Sequence, residues 1–443
     1  MSEEFIKYMD NLFSKYIEEF NIDIRKSGLN NKLVLKDIIE ISGNEEYLSS
    51  LKEEFDYYIL QINNLSISPL EKDKILKEDV RENCHSVLKI AKLLIDNHED
   101  EAKEEMKALL SKYNDNGNTV LDNDFIFCEI NKCFSFRGSG SNSCLCDNDE
   151  IYEQMNREDI VFYRSRIIET SKKIDKFSEI TSLSYSNKHC ASNCRFSKAG
   201  KSCLYLSLTS DACSLEIDSK DRFDQIYTSA FKFNNSGLKK IKVLNLALNS
   251  QIIDGIISQI NRIGEAEERK NYLTNLSIDY LKIYPLSIAT SFVRNSKQTE
   301  KNYVYYEYLI SQCIIETLSE ITDDKNIYGV SYISKKKIGD SIFPYYVNLA
   351  IPINDLSEDE EFGEIYNYIE MTKPISNKYA IENYADKDKE KNTYLDTAFG
   401  KDYHFRNNLK YKDTDCYKVD HYLINMKTSN AMEELKSEKE SQY

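Results

Sequence analysis

The chain reads as an α+β protein, an N-terminal helical domain followed by a mixed α/β domain. Two observations predict this. Apolar side chains recur at helical spacing through residues 1–115, whereas after about residue 155 short runs rich in β-branched and aromatic residues alternate with helical patterns. No internal repeat is visible, and 443 residues are enough for two or three domains that each bury a core.

The first helix is predicted from Glu3 to Phe20, where Phe5, Ile6, Met9, Leu12, Phe13, Tyr16, Ile17 and Phe20 form one apolar stripe. A second pattern runs through Tyr47, Leu51, Phe55, Tyr58 and Ile59. A third runs through Val80, Cys84, Leu88, Ala91, Leu94 and Ile95, with Ser68 and Pro69 separating the two. Residues 116–155 change character, with Asn, Asp, Gly and Ser dominating around CEINKCFSFRGSGSNSCLC. This segment reads as a linker or a small metal module.

Between 156 and 355 the runs IVFYRSR, KSCLYLSL, KKIKVLNLAL, YGVSYIS and YYVNLAIPI suit strands, being too short for typical helices. A helical pattern through Tyr303, Tyr306, Ile310, Ile314 and Leu318 precedes the fourth of them. Residues 356–443 read as an acidic, Tyr-rich extension without a pattern, ending in a frayed helix or tail.

Composition narrows the partners. A hydrophobic fraction of 41% and 12% aromatics, with 32 Tyr and no Trp, suit a globular chain rather than a disordered one. The formal charge of −16, from 74 acidic against 58 basic side chains, repels a phosphate backbone, so nucleic acid is a disfavoured partner. The opening MSEEFIKYMDNLF has neither a basic n-region nor a long apolar run, which predicts a cytoplasmic protein with no membrane partner. In that setting the 11 cysteines are expected as reduced thiols, some of them on a metal.

Cys128, Cys133, Cys144 and Cys146 are spaced C-x4-C-x10-C-x-C. Four thiolates in a short Gly/Ser-rich segment suit structural zinc, and unliganded thiols are the alternative. His189, Cys190 and Cys194 form a second cluster that reads as loop and strand residues, with a shared metal as the alternative, while Cys203 and Cys213 read as buried and inert.

The stretch RFSKAGKSCLYLSLTSDACSLE, Arg195 to Glu216, combines a cation, a phenol and a carboxylate around a strand. Gly200 lets the backbone turn tightly before it. Tyr205 lies within the strand, and Thr209 or Ser210 caps a short helix that carries Glu216. Strand, cap and helix bring Tyr205 and Glu216 toward each other.

This stretch resembles the signature of the RES domain family, with Cys213 in the place of an alanine in A-x-x-E. FYR at 162–164, EYLISQ at 307–312 and YGVSYIS at 328–334 resemble further elements of that family in the same order. The departures are Cys194 where the family has glycine, and Ser197 and Lys198 where Asn or Pro often follows. The resemblance implies a fold like that of the ADP-ribosyltransferase toxins and cleavage of the nicotinamide–ribose bond of NAD. It also implies a growth-arrest or antiviral role under a protein inhibitor (antitoxin). A homo-oligomer is compatible with the sequence.

The implied site is Arg195, Tyr205, Glu216 and Ser334, with Arg164, Tyr163 and Gln312 as dinucleotide-binding positions. Glu216 would face the cation developing on the ribose, a guanidinium from Arg195 or Arg164 would grip the pyrophosphate, and Tyr205 would stack on nicotinamide or bond the ribose. Ser334 would bind phosphate or orient the acceptor, water or inorganic phosphate. Singly, such residues serve surface or core far more often than chemistry; the ordered set carries the reading. Transfer of ADP-ribose to a macromolecule and a non-catalytic NAD- or partner-binding module are the alternatives.

The N-terminal helices are similar to HEPN regions, some of which cut RNA with an arginine and a histidine separated by four to six residues. RENCH, Arg81 to His85, has only three residues between them, so a regulatory role suits this region better.

Overall fold

A computed structural model describes residues 39–41, 44–64, 70–115, 121–134, 160–168, 172–217, 223–248, 267–294, 305–321, 326–334, 346–385 and 404–441, apart from single residues and pairs within 121–134 and 404–441, together with 117, 388 and 391. The predicted helix at Glu3–Phe20 and residues Cys144 and Cys146 lie outside these residues.

The fold is mixed α and β. Strand β1 (Ile39–Ile41) precedes three helices: α1 (Asn44–Asn64), α2 (Leu70–Ile95) and α3 (Glu99–Ser111). The stripes read from the sequence are their buried faces: Tyr47, Leu51, Phe55 and Tyr58 on α1, and Val80, Cys84, Ala91 and Leu94 on α2. Then follow β2 (Phe127–Glu129), β3 (Val161–Ile167), β4 (Cys203–Ser207), α4 (Ser210–Glu216), β5 (Ile226–Phe233), α5 (Asn235–Lys240) and β6 (Ile241–Asn245). Next come α6 (Glu267–Ala289), β7 (Phe292–Arg294), α7 (Leu309–Glu320), β8 (Ile327–Ile333) and β9 (Val347–Pro352). The C-terminal part supplies β10 (Ile369–Met371), β11 (Ile375–Ser376), α8 (Asn377–Asn383), β12 (His404–Arg406), β13 (Leu409–Lys410), α9 (Asp415–Ile424), β14 (Ser429–Asn430) and α10 (Ala431–Glu440).

One sheet organises the molecule, in the order β14-β10-β5-β3-β4-β9-β8-β6-β2, with β11 also on β5. Only β6 and β8 pair in parallel within it; the other neighbours are antiparallel. On one face the alternate residues Leu204, Leu206, Val347, Leu349 and Ile351 pack toward Tyr366 and α10. On the other, Cys203, Ala350, Val330 and Tyr332 share a continuous core with α1, α2, α3, α6 and α7. Further along that second face, Val161 and Tyr163 pack with Cys213 and with Val419 and Leu423 of α9.

The helical layer is fastened to α6 at a proline. Pro285 lies inside α6 and offers no N–H to the carbonyl of Leu281 four residues earlier. Tyr58 Oη donates to that carbonyl at 2.6 Å, while Asn83 Nδ2 and Tyr113 Oη donate to the carbonyl of Lys282 at 3.0 and 2.9 Å. Carbonyls at the proline's turn of the helix thus become docking points for α1, α2 and the segment just past α3.

The segment expected as a linker contributes β2, which pairs with β6 at a sheet edge. The segment expected as a patternless extension adds strands to the sheet: β10 and β11 pair with β5, and β14 pairs with β10. Strands of two or three residues are too short to show an alternating signature. Three of its tyrosines, Tyr366, Tyr411 and Tyr417, are buried core residues, whereas Tyr379 is exposed. Among the described residues no helix is long and apolar enough to cross a membrane.

Candidate functional site

The site is built around a tight turn. Cys194 and Ser197 form an isolated antiparallel bridge, Cys194 N donating to Ser197 O at 2.8 Å, which puts Arg195 and Phe196 at the tip. Gly200 follows with φ +79°, the left-handed backbone that glycine adopts without a Cβ penalty. From α7, Gln312 Nε2 donates to the carbonyls of Cys194 and Ser197 at 2.9 and 3.3 Å. Tyr205 Oη accepts from Phe196 N at 3.2 Å and pairs with Ser197 Oγ at 3.0 Å. Three of the residues singled out from sequence, Arg195, Tyr205 and Gln312, therefore meet at one turn.

Arg195 extends from the turn to the end of α6. Its Nη1 donates to the carbonyls of Thr290 and Phe292 at 2.6 and 3.0 Å, and the guanidinium lies 5.1 Å from the centre of the Tyr308 ring. Thr290 directly follows the last residue of α6, where carbonyls left without a helical partner carry partial negative charge and suit a cation. These bonds use one of the guanidinium nitrogens, so the fork is anchored with donors in hand.

Glu216 reaches the same face by the route the sequence predicts. Thr209 caps α4, its hydroxyl accepting from Ala212 N at 3.1 Å, and Glu216 is the last residue of the helix. Glu216 Oε1 accepts from Asn348 Nδ2 at 2.8 Å. The registers Ser207↔Asn348 and Tyr332↔Asn348 place Ser207, Asn348 and Tyr332 abreast on the face that also carries Tyr205. They form a polar seam in otherwise apolar packing. Arg195 and Glu216 both act electrostatically on Tyr308 and Tyr332. Burial dominates at both phenols and pushes them up, with Arg195 opposing and Glu216 reinforcing the rise. Burial also holds the Tyr205 phenol well above the usual tyrosine range.

The remaining residues sort differently. Ser334 continues the β8 register, its N–H donating to Tyr346 O at 2.8 Å, and so falls on the Tyr332 side of the sheet in a buried position. Tyr163 shares that face, yet its hydroxyl donates to Asp420 O at 3.3 Å among the α9 residues. Arg164 alternates to the opposite face. Its Nη1 donates to the Tyr205 carbonyl at 2.9 Å where β3 and β4, paired only at Tyr163↔Ser207, diverge. It therefore closes a gap in the sheet and is separate from the Arg195 cluster. Tyr205 likewise spends its hydroxyl on the turn, which makes it a positioning residue.

Cys128 and Cys133 are buried in the core, with Cys128 Sγ 4.0 Å from Val243 O and Cys133 Sγ 3.7 Å from Ser331 Oγ. Among the described residues no group of three or more His, Cys, Asp or Glu is placed to hold a metal. Burial pushes the Cys203 and Cys213 thiols up to about 12, in keeping with inert core positions. Arg81 and His85 are exposed on α2, where Arg81 Nη2 donates to Asn63 Oδ1 at 3.0 Å.

An open recess lies beside the turn, lined by Lys103, Phe196, Lys198, Cys203 and Glu316 among others. It includes none of Arg195, Tyr205 and Glu216, so the chemistry-bearing cluster and this recess are neighbours rather than one cleft.

Sequence reasoning missed Asn348, Ser207, Tyr308 and Tyr332. Asn348 carried a faint signal as the one amide in the apolar run YYVNLAIPI. No family model, curated protein or solved structure matches this chain.

Proposed function

We propose that this protein is an NAD-cleaving enzyme of the RES type that breaks the nicotinamide–ribose bond. The observation that carries the reading is that the Arg195 guanidinium lies 5.1 Å from the centre of the Tyr308 ring, while Glu216 is held at 2.8 Å by Asn348, which stands opposite Tyr332 in the β8–β9 register. A dinucleotide with an anionic pyrophosphate and a cationic ring needs such a pairing of opposite charges beside flat rings.

In this reading Arg195 binds the pyrophosphate and the Tyr308 or Tyr332 ring flanks nicotinamide. The C1′–N bond breaks with its electron pair leaving on nicotinamide, which departs neutral and needs no acid. Glu216 stabilises the oxocarbenium-like sugar, and water or inorganic phosphate then adds to C1′, releasing a proton. Unchecked NAD loss would halt growth, which suits a toxin or antiviral effector held by an inhibitor protein.

A second reading, NAD or partner binding without turnover, is favoured by the engagement of Arg195 Nη1 with two main-chain carbonyls. Following nicotinamide release from NAD, with and without phosphate, for wild type and Glu216→Gln separates the two. The enzyme reading expects release that falls about 100-fold or more in the variant. A folded wild type that binds NAD and releases nothing supports binding alone, and label from NAD on a protein or nucleic acid marks ADP-ribosyl transfer.

A further inference from the structure

We infer that Asn348 is the positioning residue that fixes the carboxylate of Glu216, an inference that rests on the NAD-cleaving reading above. Glu216 is the last residue of α4, and its long side chain has many rotamers to choose from. A carboxylate that must face one sugar carbon needs an external guide.

Asn348 has the attributes of such a guide. It lies on β9, flanked by β4 and β8, and its side chain is buried, the residue being 1% exposed. Ser207 stands directly opposite in the β4–β9 register and donates from Oγ to Asn348 Oδ1 at 2.7 Å. That bond engages the carbonyl end of the amide and turns the N–H end toward Glu216 Oε1, 2.8 Å away. Tyr332 stands opposite Asn348 on β8. Ser207 on β4 and Asn348 on β9 thus set the direction of one carboxylate.

The choice of an amide has a chemical consequence. A lysine or arginine at this position would also orient Glu216, but its charge would neutralise the carboxylate that the developing sugar cation requires. A neutral donor directs the carboxylate and leaves its charge for the ribose.

The test compares Asn348→Asp and Asn348→Ala, each alone and combined with Glu216→Gln. The Asn348→Asp variant keeps the volume and an acceptor for Ser207 but sets a second carboxylate against Glu216, where two ionised groups repel and come to share a proton. Above neutral pH, Asn348→Asp is expected to lower kcat about 100-fold with KM for NAD unchanged. The loss should shrink on acidification, because protonation of the introduced carboxylate restores a donor, its O–H, toward Glu216. Asn348→Ala should lose kcat at every pH, without that recovery. A second measurement needs no NAD: the thermal midpoint above neutral pH should drop in Asn348→Asp and be restored when Glu216→Gln removes the opposing charge.

An equal drop in both backgrounds overturns the inference, as does an unchanged kcat for Asn348→Asp in a wild type that releases nicotinamide. Should wild type release none while the two drops still differ, the NAD reading falls and the Asn348–Glu216 pairing stands.

Discussion

Gln312, on α7, donates its amide to the main-chain carbonyl of Cys194 across 118 residues of sequence, at 2.9 Å. The same nitrogen reaches Ser197 O, so one side chain spans both ends of the turn that carries Arg195. The turn is therefore held by the helix behind it and by the Tyr205 hydroxyl in front.

Replacing Gln312 with leucine should cost about 1 kcal/mol, because Cys194 and Ser197 keep the bonds they make to each other while losing the amide. Gln312→Glu should cost more, since a carboxylate offers no N–H and faces two carbonyl oxygens. Urea denaturation orders the three proteins. NAD titration should show weaker binding in the order of lost stability if the turn positions Arg195; unaltered NAD affinity in both variants would detach Gln312 from the site.

Gly200 offers a backbone test. A Cβ built there meets nothing within 4 Å, so the cost of Gly200→Ala is the left-handed conformation alone. That cost is about 1–2 kcal/mol, and Gly200→Asn should recover part of it, asparagine tolerating this region better. Denaturant midpoints for the three proteins check the ordering. Equal stability of alanine and glycine would mean that the turn does not need positive φ at this position.

The third prediction concerns pH and the N-terminus of α4. Asp420 on α9 is fully buried and accepts from Ser210 N and from the Tyr411 hydroxyl. Burial pushes its carboxyl up to about 7, against the opposing pull of Tyr411, Ser210 and His421. The unfolded chain releases this proton near pH 4, by about the ordinary aspartate value, whereas the folded protein retains it to about 7. The folded state then binds more protons through that interval. The stabilisation is complete below the unfolded value and is lost as pH rises to about 7, with a slope of up to about 1.4 kcal/mol per pH unit. Asp420→Asn should remove this slope. Urea midpoints measured across the window should show wild type declining relative to the variant; a relative rise would contradict the burial of a protonated acid there.

Sequence alone determined what depends on neighbouring residues: the buried stripes of α1 and α2, the strand at 203–207, a hydroxyl cap at Thr209 or Ser210 that starts α4, and the glycine that turns the chain before β4. Such features follow from local torsions and a repeating pattern of burial, which a linear chain displays directly. Tertiary structure alone decided which residues share a face. Asn348 meets Ser207 across 141 residues and Glu216 across 132, Arg164 turns to the far side of the sheet, and two- and three-residue strands near the C-terminus complete one edge. Strand register is a long-range choice, fixed when whole layers pack against one another, and a shift of one residue would send every one of these side chains to the opposite face.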